Sequence, residues 1–137
     1  MKPIWQRLIL GYLAATAITV GVWAQFAPRW FYEDFPGFGH MWIAVDGPFN
    51  EHLVRDVGGL NLALAAVLIL ATVSLVRPLV LSACVAALAY GVPHVIYHLV
   101  NRSDLEFADA ALSLGGLALF ALFPFLLLMT TLRQPSK

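Results

Sequence analysis

Four apolar runs, each about the 20 residues a helix needs to cross a hydrocarbon core, leave this chain few other ways to fold. They cover approximately Leu8–Phe26, Val57–Val76, Leu79–Val100 and Phe107–Thr130. In a chain of 137 residues they take up most of the length, so the sequence predicts one membrane domain, 1–137, and no soluble domain of any size. Backbone polar groups in lipid must be satisfied internally, which leaves helices as the natural spanning element. The expected fold is all-α: an antiparallel four-helix transmembrane bundle with an aromatic-rich extracytoplasmic loop between the first two spans.

Composition agrees. The chain is 61% apolar and 12% charged, with a mean hydropathy of +0.81, outside the usual range of soluble domains. Net charge is zero and no basic cluster occurs, which excludes a nucleic-acid partner on electrostatic grounds. The single cysteine, Cys84, lies mid-span and reads as a small apolar packing residue. The first run has the basic start of a signal peptide (Lys2, Arg7), but it is long and no A-x-A site follows, so it is expected to be a retained span.

Charge then sets the orientation. Lys2, Arg7, Arg77, Arg133 and Lys137 lie on one side with no acidic residue among them. All eight acidic residues and all four histidines fall on the other. The positive-inside rule predicts a multi-pass plasma-membrane protein with both termini cytoplasmic. The expected partners are the bilayer and a second copy or larger membrane complex.

Local signals refine the segments. Asp46-Gly47-Pro48 reads as the start of the second helix, as an outer extension from residue 48. Arg77-Pro78 makes a tight turn, and Ser103-Asp104-Leu105-Glu106 has the S-x-x-E pattern of a capping box opening the fourth helix at 104. The long outer connection, Ala27–Gly47, is rich in aromatics, and Pro28 to Phe35 reads as a short interfacial helix ended by Pro36-Gly37. It is expected to anchor at the interface and cover the mouth of the bundle. Small residues recur four apart on each helix, such as Ala17 and Gly21, Gly59 and Ala63, and Ala87 and Gly91, a spacing that suits close helix packing in lipid.

The candidate chemistry is in three polar stripes at helical spacing. His52, Arg55, Asp56 and Gly59 form one on the second helix, with Glu51 a turn before Arg55. Tyr90, His94, His98 and Asn101 form another on the third, flanked by Tyr97. Glu106, Asp109, Ser113 and Gly116 form the last. Ionisable groups within a membrane should face one another and not lipid, so a polar cavity is expected where the second, third and fourth helices meet. The sharpest local pattern is Pro93-His94-Val95-Ile96-Tyr97-His98, whose two histidines at i and i+4 can hold one metal ion if other helices complete the shell.

The leading expectation is therefore a transition-metal site (zinc, iron, manganese or copper) with ligands drawn from His52, His94, His98, Glu51, Asp56 and Asp109. Arg55, Tyr90, Tyr97 and Asn101 would support it. Haem ranks lower, because an i,i+4 pair cannot ligate both faces of one porphyrin. A lipid or quinone ligand and a proton path are further readings of the same cavity. His40, alone on the loop, is an additional ligand or lid contact at most. The competing function is a non-enzymatic structural or accessory subunit whose His/Arg/Asp network ties helices together. The residues assign no reaction.

Gly47-Pro48-Phe49-Asn50-Glu51-His52-Leu53-Val54-Arg55-Asp56-Val57-Gly58 and Pro93-His94-Val95-Ile96-Tyr97-His98 resemble the signatures of small four-helix integral membrane proteins of actinobacteria. The resemblance extends over nearly the whole chain. It implies that N-E-H-x-x-R-D and P-H-x-x-x-H act together, and it supplies no activity.

Overall fold

The computed structural model describes residues 1–101 and 105–133. Its long helices are α1 (Pro3–Phe26), α3 (Glu51–Ser74), α4 (Arg77–Val100) and α5 (Phe107–Leu132), with a short α2 (Pro28–Asp34) between the first two. All four long helices are long and apolar enough to cross a membrane. Only a minority of each span is buried inside the protein. The rest presents residues such as Leu60, Val73, Val85 and Phe125 outward, as a lipid-facing surface requires.

Contacts along α1 and α3 run in opposite order. Arg7 donates to the Thr72 and Val73 carbonyls (2.9 and 3.2 Å), Gly21 meets Leu62, and Gly58 meets the backbone of Gln25. A Cβ built on Gly58 would stand 2.5 Å from Gln25 N, so only glycine permits this approach. The close-packing signal thus belongs to Gly58 and Gly21. Gly59, its neighbour in sequence, has only the Gln25 side chain near it. α4 and α5 pair similarly, through Gly91 against Phe120 and Arg77 reaching the Leu132 carbonyl. Arg7 and Arg77 therefore satisfy carbonyls left open at the C-terminal ends of α3 and α5.

The core at the end nearest the termini draws on every long helix. Leu10, Leu13, Leu68, Val80, Cys84 and Leu127 are there, each fully buried or within 1% of it. Cys84 is an interior packing residue, as expected.

At the opposite end, α2 is followed by a two-stranded hairpin, β1 (Pro36–Gly37) and β2 (His40–Met41), paired antiparallel with Gly37 opposite His40. Gly37, Phe38 and Gly39 all have positive φ (99°, 61° and 84°). That conformation explains the two glycines and leaves Phe38 at a fully exposed tip. A single 3₁₀ turn at Ala44–Asp46 follows. The aromatics pack on one another: Trp23 of α1 lies against Trp30, Phe31 and Phe35, and Phe35 against Trp42. Phe31 is buried with Ala24 of α1 and Val54 of α3. The hydroxyl of Tyr32 donates to the Gly47 carbonyl at 2.6 Å.

Helix starts differ from expectation: α1 begins at Pro3 and α4 at Arg77, ahead of the apolar runs, and α5 begins at Phe107, not at 104. α3 begins at Glu51, not at Pro48. Gly47, at φ 149°, breaks the chain direction, and Asn50 takes the N-cap, its side chain accepting from Leu53 N at 3.1 Å. The expected capping box includes Ser103 and Asp104, which lie outside the described residues; Glu106 occupies the N-cap position of α5.

Candidate functional site

The three sequence stripes meet different fates. On α3 the inward face is Val54, Gly58, Asn61, Ala65 and Leu68, spaced by threes and fours. His52 and Asp56 fall two residues from Val54 on either side, which turns them away. Their side chains are 89% and 55% exposed and pair with each other at 3.3 Å. Glu51 and Arg55 form a second local pair at 2.9 Å. Arg55 also donates to the Gln25 carbonyl, pinning the first turns of α3 to the end of α1.

On α4 the buried positions are Val80, Ala83, Cys84, Ala87 and Gly91, and continuing that phase brings His94 and His98 inward. Their Nε2 atoms are 3.1 Å apart and their rings stack, with centroids 5.0 Å apart and planes 17° from parallel. Tyr90 meets His94 edge-on, and Tyr97 meets His98 in the same way from a more exposed position. Asn101 closes the helix by donating to the Tyr97 carbonyl. Pro93 is within the helix and cannot donate to the turn before it.

On α5, Asp109 accepts from neither the α4 histidines nor Arg55. It pairs with His40 of the hairpin at 2.8 Å (His40 Nδ1 to Asp109 Oδ1), tying loop to helix. No local pattern around His40 or Asp109 points to this long-range partner. Ser113 and Gly116, the next residues of that stripe, face the interior beside His98.

The groups proposed as metal ligands thus divide among three places: the outer turn of α3, the α4 pair, and the His40–Asp109 contact. Among the described residues, no group of three or more His, Cys, Asp or Glu side chains is arranged to hold a metal ion. A cavity does lie between the helices, but its wall is mostly apolar where a polar one was expected. It is a half-open cleft of about 370 Å³. Tyr12, Thr16 and Val20 line it from α1, and Leu53, Val54, Val57 and Asn61 from α3. Tyr90, His94 and His98 contribute from α4, and Ser113, Gly116, Leu117 and Phe120 from α5. The aromatic segment roofs it with Phe31, Phe35, Trp42 and Ile43.

Two features of this wall escaped sequence reasoning. Asn61, an amide in the middle of an apolar run, is 4% exposed and donates to the Val57 carbonyl, beside Tyr90. Trp42, read as an interface anchor, has its indole N–H buried without a partner among the described residues. The apolar members of the Asn50–Gly58 stretch (Leu53, Val54 and Val57) share this cavity with His94 and His98, whereas its charged members face away.

The cavity combines aromatic surface with a few convergent polar atoms and no charged side chain, an arrangement that suits a small, largely apolar molecule. Comparison of the chain with family models, curated proteins and solved structures returns no match.

Proposed function

We propose that this chain is a small multi-pass plasma-membrane protein, an antiparallel bundle with cytoplasmic termini, that binds a lipid-soluble molecule in the extracytoplasmic half of the bundle. The observation that carries this reading is the cavity beneath the aromatic segment, apolar except where His94 and His98 stand on its wall. A void of about 370 Å³ forgoes dispersion contacts all along its lining. It also places two imidazoles where an apolar bundle has no structural need of them, and intramembrane ionisable groups commonly mark function.

Gly116 provides the test. It lines the cavity, and a Cβ added there meets nothing within 4 Å. Gly116→Leu therefore fills the space while leaving the helix contacts intact. Native mass spectrometry from mild detergent is expected to find wild type carrying apolar small molecules, or taking them up when added, and the variant carrying none. Equal retention by the two proteins would contradict the proposal.

A second reading keeps the metal. Two imidazole nitrogens bound to one ion at about 2.0–2.1 Å and lying 3.1 Å apart subtend roughly 95–100° at the metal, an acceptable bite for zinc, manganese or iron. His94 and His98 would be its only protein ligands among the described residues, with bound molecules filling the other positions. Elemental analysis of wild type against the His94→Ala, His98→Ala double variant checks it. Metal in stoichiometric amount only in wild type supports the reading, and equal content in both removes it.

A further inference from the structure

We propose that the molecule held by this cavity is a neutral quinone ring whose prenyl tail leaves the bundle between α4 and α5, past His98 and Ser113. The inference rests on the reading of the cavity as a binding site and assigns its ligand class.

Charge comes first. Among the described residues no Lys, Arg, Asp or Glu lines the cavity, which favours an uncharged ligand over a phosphate headgroup or a fatty-acid carboxylate. Next, the wall offers flat surfaces: Tyr12, Phe31, Phe35, Trp42, Tyr90 and Phe120. Rings favour offset-stacked or edge-to-face neighbours of this kind.

The polar atoms then ask for oxygen. The two histidines share a single hydrogen bond between their Nε2 atoms. When both are neutral, the donating ring keeps an unprotonated Nδ1 and the accepting ring keeps an Nδ1–H. The pair therefore retains one donor and one acceptor, which suits the carbonyl of a quinone and equally the hydroxyl of a quinol.

Size and continuity place the tail. A space of about 370 Å³ is near the lower end of small-molecule sites and holds a fused ring but not a long chain folded beside it. His98 and Ser113 also line a second, larger hollow of about 560 Å³. Its other walls include Leu99 of α4 and Phe107, Ala110 and Ala111 of α5. Phe107 is 91% exposed, so the hollow opens toward the surroundings of the bundle. Among the described residues it too has no charged residue on its wall. In this proposal His98 and Ser113, common to both walls, mark where the tail passes from the aromatic cavity to the second hollow.

The test compares three probes in detergent by native mass spectrometry: a tail-less naphthoquinone, the same ring with a short prenyl tail, and oleate. Both naphthoquinones are expected to bind wild type saturably and more tightly than oleate, and Gly116→Leu should lose both. Ala111→Phe, which narrows only the second hollow, should weaken the tailed ring at least fivefold and leave the tail-less ring unchanged. Saturable oleate binding without naphthoquinone binding would overturn the ligand class while the cavity remains a binding site. Absence of saturable binding by all three would overturn both. An equal effect of Ala111→Phe on the two naphthoquinones would overturn the tail path.

Discussion

The half of the bundle nearest the termini and the half beneath the aromatic segment are built from the same helices and much the same amino acids, yet one is solid and the other hollow. In the solid half Leu10, Leu13, Leu68, Val80 and Leu127 interlock, and none is more than 1% exposed. In the hollow half α1 and α3 still touch, through Gly21 and Gly58, while α5 presents Ser113 and Gly116 to the interior, where a larger side chain would have filled the space. Side-chain size along one face of α5, and not overall hydrophobicity, decides where a bundle in lipid closes. The polar groups stand where it does not close.

Substitutions can sharpen or break this contrast. Leu68→Ala empties part of the solid half and should cost about 2–5 kcal/mol, read as a fall in melting temperature in detergent. Gly58→Ala should cost about 2–3 kcal/mol, because its Cβ meets backbone that must shift. A cost near zero would mean that the α1–α3 seam is looser than described. Val57→Ala, by contrast, trims a wall that already faces a cavity and should cost less than about 1 kcal/mol. A cost equal to that of Leu68→Ala would erase the distinction between the halves. His40→Ala removes the His40–Asp109 pair and should cost about 1 kcal/mol. Proteolysis within the hairpin should be faster in this variant. The smallest effect belongs to His52→Ala, whose partner is as accessible as itself. It should change stability by less than about 0.5 kcal/mol and leave ligand and metal content as in wild type.

Those differences follow from what the sequence could and could not convey. The four spans and the short helix from Pro28 were legible, because apolar length and Pro/Gly punctuation are local signals. The inward direction of His94, His98, Ser113 and Gly116 was legible too, since the stripes of α4 and α5 share phase with the small and aromatic residues packed below them. The α3 stripe misled. In a helix whose outer face is as apolar as its inner one, hydrophobic periodicity does not set the phase, and His52 and Asp56 lie in the first turns, where their side chains are exposed. The Gly37–Gly39 turn left a trace in its two glycines, but the hairpin it closes depends on tertiary packing of Phe35 and Trp42. The His40–Asp109 pair joins residues far apart in sequence, and a single chain carries no signal for such a contact.

Whether apolar molecules occupy the space beneath the aromatic segment, and not only the outer faces, decides the function. Photolysis of a lipid-soluble diazirine probe with the purified protein, followed by peptide mapping, reads this directly. The predicted result is adducts on cavity residues such as Val57, Tyr90 and His94, lost in Gly116→Leu while those on Leu60, Val73 and Phe125 persist. Adducts confined to those outward-facing residues in wild type would contradict the binding cavity.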